Sequence, residues 1–213
     1  MARRNSPPKE GTYSWYFKKA FGGDVRSMLE IANICVKEGS ENNSEEKLQE
    51  AFFWNLRAAE SGDAVGAKKA GMFLEDGTGI PANREKALEF YEKSSLAKAD
   101  YDLLKEMIEN GETEAVPDED EYEDFVEWAG DFGEMLYENG MDFDERFRGY
   151  SLIFISAMLG YGDAEFILGK IYSKDSEMGK EDFLKGYYWI DRACQHGCDE
   201  AETYIWESWK RDS

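Results

Sequence analysis

Histidine occurs once and cysteine three times among these 213 residues, and that scarcity removes several kinds of chemistry at the outset. A single imidazole rules out paired metal-binding histidines, and an odd number of cysteines outside any repeated pairing gives no disulfide framework, which points to a reducing compartment. No glycine-flanked nucleophile elbow and no nucleotide-binding motif occurs. Carboxylate pairs are plentiful, but in so acidic a chain they arise by chance and argue for no general acid. No run approaches the roughly 18 apolar residues of a membrane span. The first residues carry two arginines but no signal-peptide core, because Lys18 and Lys19 interrupt the aromatic segment. The expectation is a cytoplasmic, non-catalytic chain with no cofactor, no metal and no membrane partner.

Positive charge is also in short supply. Twenty-five lysines and arginines face 46 aspartates and glutamates, for a formal net charge of −21, and no basic stripe offers itself to nucleic acid, whose phosphates this charge would repel. The deficit is local. From Glu106 to Glu145 there is no lysine or arginine, while 17 residues are acidic. Such a block is either a solvated face that keeps the protein soluble or an electronegative surface for a basic protein. Aromatic residues interleaved with the charge, Tyr122, Phe125, Trp128 and Phe132, favour the second reading, since aromatic anchors beside charge are typical of binding surfaces. The partner-binding candidates are therefore Asp118, Glu119, Asp120, Glu121, Tyr122, Glu123, Asp124, Glu127 and Trp128. At helical spacing, however, the aromatics among them also suit a core.

What the chain has in abundance is a repeated helical face. Ala51, Trp54, Asn55, Ala58, Ala59 and Gly62 lie on one side of an α-helix. The same spacing recurs as Ala87, Phe90, Tyr91, Ser94, Ser95 and Lys98, as Gly149, Leu152, Ile153, Ser156, Ala157 and Gly160, and as Gly186, Trp189, Ile190, Ala193, Cys194 and Gly197. Thr12, Trp15, Tyr16, Lys19, Ala20 and Gly23 form a fainter copy. A second helix type alternates with the first, seen as Gly66, Ala70, Gly71, Leu74 and Gly77, as Ala129, Gly133, Glu134, Tyr137 and Gly140, and as Ala164, Leu168, Gly169 and Tyr172. Small residues at these positions let helices approach to roughly 8–10 Å, and a glycine inside a helix, which costs roughly 1 kcal/mol against alanine, needs such a packing reason.

These two alternating helices resemble the Sel1-like repeat, a relative of the tetratricopeptide repeat, and the run from Asp76 to Ser95, with Gly77, Gly79, Ile80 and Ala87, is similar to its inter-helix turn. The likeness covers nearly the whole chain and lapses between Lys98 and Phe125, where a first-type helix is missing. It implies an all-α solenoid of stacked antiparallel helix pairs with a C-terminal capping helix. With 42% apolar residues the chain can bury a substantial core, so residues 11–213 are expected to form a single domain after a flexible start at 1–10, with an acidic irregular insert at about 111–120.

Helices are expected over about 12–21, 24–37 (closed by Gly39), 44–60 with Ser44 as N-cap, 63–75, 83–95, 100–109, 120–138, 144–159, 163–173, 181–195 and 199–210. Cys194, His196 and Cys198 could hold zinc, but Cys194 occupies the small packing position and no fourth ligand is evident. The run 118–124 lacks the alternating ligands and central glycine of a calcium loop. Gly77 and Gly79 follow a helix rather than a strand, so they make no phosphate loop.

The function expected is protein–protein interaction by a monomer. The family resemblance implies either an immunity or inhibitor protein that masks a basic toxin or effector domain, or an adaptor in signalling or complex assembly. Charge alone adds a third possibility, a mimic of nucleic acid whose carboxylates imitate phosphates.

Overall fold

The computed structural model describes residues 8–111, 119–174 and 182–212. Among them are eleven helices and no strand: α1 (Tyr13–Phe21), α2 (Val25–Asn42), α3 (Glu45–Glu60), α4 (Ala64–Asp76), α5 (Arg84–Glu92), α6 (Lys98–Glu109), α7 (Glu119–Asn139), α8 (Phe143–Leu159), α9 (Gly162–Ser173), α10 (Phe183–Gln195) and α11 (Asp199–Asp212). Six helices start at an Asp, Ser or Asn whose side-chain oxygen accepts from a backbone N–H three residues on: Asp24, Ser44, Asp63, Asn83, Asp142 and Asp182. Each cap satisfies one of the donors that a helix N-terminus leaves unpaired.

One boundary departs from the sequence expectation for a physical reason. α2 does not close at Gly39 but runs on to Asn42, and Asn43 ends it in the left-handed region at φ 52°. Gly39 is instead a contact point, because a Cβ there would stand 2.8 Å from Leu48 Cγ and Cδ2. The glycine lets α3 approach, and the short polar asparagine supplies the left-handed cap. Smaller shifts occur at Glu92, where α5 ends three residues early, and at Lys98, where α6 begins two residues early.

The chain divides into two compact units, residues 1–122 and 123–213. In the first, each of α1 to α6 packs on its neighbour in sequence. The core runs through α3, whose Ala51, Phe52, Phe53, Leu56 and Ala58 are fully buried and whose Trp54 is 1% exposed. Phe52 stacks on Phe73 of α4, and Trp54 meets Phe17 of α1 edge-on. The small position Ala58 does the work expected of it: a Cβ on Gly66 of α4 would lie 2.6 Å from the Ala58 methyl. Likewise the Tyr91 ring of α5 lies against Gly71, where a Cβ would stand 2.5 Å from Cε1, and its hydroxyl donates to Glu75.

In the second unit α7 meets α8 at Gly133 and Gly149, where added Cβ atoms would stand 2.9 and 2.7 Å from the opposing glycine's carbonyl oxygen. α8 packs on α9, α9 on α10, and α11 on both α9 and α10. Trp189 is 1% exposed and Ala193 fully buried. Phe166, Ile190, Ala193, Cys198 and Ala201 form a cluster, with Cys194 and Ile205 against it, that seats α11.

Candidate functional site

The acidic stretch lies largely on α7. Its inward stripe in the second unit is Val126, Ala129 and Gly133, all buried, with Gly130 against the ring of Tyr161. Its outward stripe has the same helical spacing, Asp124, Glu127, Asp131 and Glu138, and every one of these is exposed, as is Glu123. α7 carries no lysine or arginine. In the middle of the outward stripe sits Trp128, 42% exposed, stacked on Phe132 at 5.3 Å and tilted against Phe125 at 5.9 Å. Helical periodicity brings its indole beside Asp124 and Asp131, one turn away on either side, and Glu127 adjoins it in sequence.

The first unit holds Asp120 and Glu121, both exposed, and Tyr122, which is turned inward at 9% exposure. Burial first, and then the carboxylate of Glu89, push the Tyr122 phenol above its usual range. Tyr122 is thus a core residue, whereas Trp128 is a surface one. Glu119 opens α7, and Asp118 lies outside the described residues.

Tyr161, in the turn before α9, registers the field of α7. Its phenol is pushed up to about 12, chiefly by burial and then by the carboxylates of Asp131, Asp163 and Glu127. Carboxylates disfavour a nearby phenolate, and the same potential attracts a cation.

Of Cys194, His196 and Cys198, the histidine is engaged with a buried carboxylate. His196 places Nδ1 2.8 Å from Glu165 Oε2, and Arg192 Nη2 stands 2.7 Å from Oε1 of the same carboxylate, which is fully buried. Burial, with a hydrogen bond to Asp163, pushes the Cys198 thiol up to about 11. No group of three or more His, Cys, Asp or Glu among the described residues could hold a metal ion. Sequence reasoning missed Glu165 because it sits between Ala164 and Phe166 in an apolar stretch, and only its unusual place on an inward face could have drawn notice.

The Sel1 repeat family model matches residues 26–63, 64–98 and 162–198, more than half of the chain. The chain belongs to the Sel1 repeat family. Sel1 repeats are protein–protein interaction modules, generally non-catalytic scaffolds. The matched segments are α2 with α3, α4 with α5, and α9 with α10. No curated protein matches. Among solved structures, the chain is similar to a protective antigen present in uropathogenic Escherichia coli strains displaying an SLR fold, at 21% identity and a TM-score of 0.39 over 92% of this chain and 43% of that one. It is also similar to a Sel1 repeat protein from Oxalobacter formigenes, at 21% identity and a TM-score of 0.35 over 90% of this chain and 67% of that one. The chain therefore spans less than half the length of the first of these. No helix among the described residues is long and apolar enough to cross a membrane.

Proposed function

We propose that this Sel1 repeat protein is a monomeric docking module for a basic protein, and that the α7 face of the second unit, Glu123, Asp124, Glu127, Trp128 and Asp131, makes the contact. The observation that carries the reading is an exposed tryptophan set among carboxylates on a helix without a single basic residue. An exposed indole offers a large apolar anchor at small entropic cost, and the carboxylates steer a cationic surface toward it. The specific form we favour is inhibition, in which the module masks a basic toxin or effector domain as an immunity protein does, in the cytoplasm. What supports this is the size and sign of the net charge. An adaptor would use the same face without silencing its partner. The third reading, mimicry of nucleic acid, is disfavoured by Trp128, because an apolar indole at the centre of the stripe has no counterpart in a row of phosphates.

The test is capture from native lysate with the parent protein and, side by side, a variant carrying Glu123→Gln, Asp124→Asn, Glu127→Gln and Asp131→Asn. Association rates with the captured partner are then followed against salt. The expected result is a parent rate that falls steeply as salt rises and a variant rate that is slow throughout. Coincident, salt-insensitive series would sink the reading. Activity of the partner, suppressed or unchanged by the parent, separates inhibitor from adaptor.

A further inference from the structure

A cleft of about 350 Å³ opens between α9 and α11, lined by Phe166, Asp199, Glu200, Thr203 and Tyr204. Its walls are firmly held, because the opposite side of α11 is fixed by Ala201, fully buried, and by Ile205 in the cluster that includes Phe166 and Cys198. Phe166 meets Tyr204 edge-on, with ring centroids 5.7 Å apart and planes at 68°. Phe166 is only 6% exposed, so the open aromatic surface of the cleft is the ring of Tyr204, which with Thr203 stays open to solvent.

The chemistry of this cleft is an aromatic floor with a carboxylate rim. The floor already holds one cation of the protein itself, since Lys170 Nζ stands 4.5 Å over the Phe166 ring, the attraction expected between an ammonium and an aromatic face. That single charge is outnumbered. Asp199 and Glu200 line the cleft. Two carboxylates against one ammonium leave the cleft negative. An anion would be repelled by them.

We propose that the α9/α11 cleft binds an arginine side chain of a protein partner. Arginine satisfies both parts of the cleft: its planar guanidinium stacks on the open ring of Tyr204, and its fork of N–H donors meets a carboxylate in two parallel hydrogen bonds. The open cleft has room for one such side chain. The site is distinct from the indole-centred face of α7. It adds a pocket for a single side chain to a module that docks basic proteins, and it stands or falls separately from the α7 reading.

The experiment titrates a short acetylated and amidated peptide, Gly-Arg-Gly, into the full chain labelled with nitrogen-15, with the citrulline counterpart as a control of the same shape and no charge. Saturable shifts are expected at the amides of Phe166, Thr203 and Tyr204, with binding of the citrulline peptide about tenfold weaker or more. Asp199→Asn with Glu200→Gln should abolish them; both residues are exposed, and an otherwise unchanged amide spectrum shows that the variant folds. Equal binding of the citrulline peptide, or shifts spread over every acidic surface, would overturn the assignment. Asp124→Asn with Glu127→Gln and Trp128→Ala keeps the cleft shifts intact; loss of them in that variant would also overturn it. Failure of the α7 reading would show in the lysate capture and leave this titration unchanged.

Discussion

Ser156 of α8 donates its hydroxyl proton to the main-chain carbonyl of Val126 on α7, 2.7 Å away and thirty residues back, and Ser94, just beyond the end of α5, does the same to Ala64 of α4 across the same thirty residues at 2.6 Å. The shared spacing ties α8 to α7 as the end of α5 is tied to α4, although α7 and α8 lie outside the three segments that the family model matches. The contact between these two helices rests on backbone proximity more than on the serine. A methyl on Gly149 would stand 2.4 Å from the Tyr137 nitrogen and 2.7 Å from the Gly133 carbonyl, and neither can yield without moving a helix. Gly149→Ala is expected to destabilise the second unit by about 1–3 kcal/mol through overpacking. Ser156→Ala should cost about 0.5–1.5, the net worth of one hydrogen bond. Urea unfolding of both variants gives the order, and a silent Gly149→Ala would mean that α7 and α8 do not approach this closely.

The helical architecture was legible because small residues cannot be hidden among large ones. Ala58, Ser94, Ser156 and Ala193 hold the same place in four copies of the repeated face, and all four are buried. The two large residues expected to fill the adjoining space, Trp54 and Trp189, are buried too. The end of α2 was misread because glycine has two uses. Gly39 has the composition of a helix stop but serves a close approach to Leu48, and only the partner helix distinguishes the two. The acidic face was legible as charge but not as orientation. Tyr122 and Trp128 are six residues apart, which is about 120° around a helix, so one turns inward and the other outward. Sequence alone supplied both as candidates. The α9/α11 cleft had no signature, because its floor residue Phe166 and its rim residues Asp199 and Glu200 lie on separate helices.

The Glu165 network makes a second prediction. A fully buried carboxylate touches Arg192 and His196 through its two oxygens, and Arg192 also lies over the Trp189 ring at 4.8 Å. Replacing the arginine leaves a buried negative charge poorly compensated, which costs about 3–5 kcal/mol. Replacing the acid by its amide keeps the shape and some hydrogen bonds, at about 1–3. Arg192→Met, which retains an apolar stem over Trp189, should therefore be more damaging than Glu165→Gln in denaturant unfolding. The reverse order would show that hydrogen bonding, and not charge compensation, holds this corner of α9 and α10 together.

Glu134 offers a test by pH. Burial raises its carboxyl above the usual range, against the lowering influence of Lys170, and Glu138, Glu200 and Asp131 raise it further. A carboxyl with a raised value in the folded state binds its proton more tightly there than in the unfolded chain. Its contribution to stability is present below the unfolded value of about 4.3 and is lost as pH rises through the folded one. At neutral pH the ionised group is a liability. Glu134→Gln is expected to raise the melting temperature at pH 7, and the gain should fade as pH falls toward 4. A variant that melts lower than the parent at pH 7 would mean that attraction to Lys170 outweighs burial.

The last prediction separates the two aromatic residues that flank the acidic run. Tyr122 is a core residue whose phenol oxygen is buried without a hydrogen-bond partner among the described residues. Removing an unsatisfied buried oxygen relieves a desolvation cost, so Tyr122→Phe should leave stability unchanged or raise it by up to about 1 kcal/mol, while Tyr122→Ala opens a cavity and costs about 3–5. Neither change alters the exposed charge, and the association rate with a basic partner should stay within twofold for Tyr122→Phe. Trp128 is the opposite case. Its indole is partly open to solvent and stacks on Phe132, a contact worth about 0.5–1.5 kcal/mol, so Trp128→Ala should move the unfolding midpoint much less than Tyr122→Ala. If the α7 face docks a partner, the same change removes its central anchor and weakens binding by about 2 kcal/mol or more, mostly through faster dissociation. Unfolding curves and dissociation rates measured on the three variants make a two-by-two comparison. Binding that survives Trp128→Ala, with carboxylates intact, would reduce α7 to a solvated face and shift the search for the contact to the α9/α11 cleft.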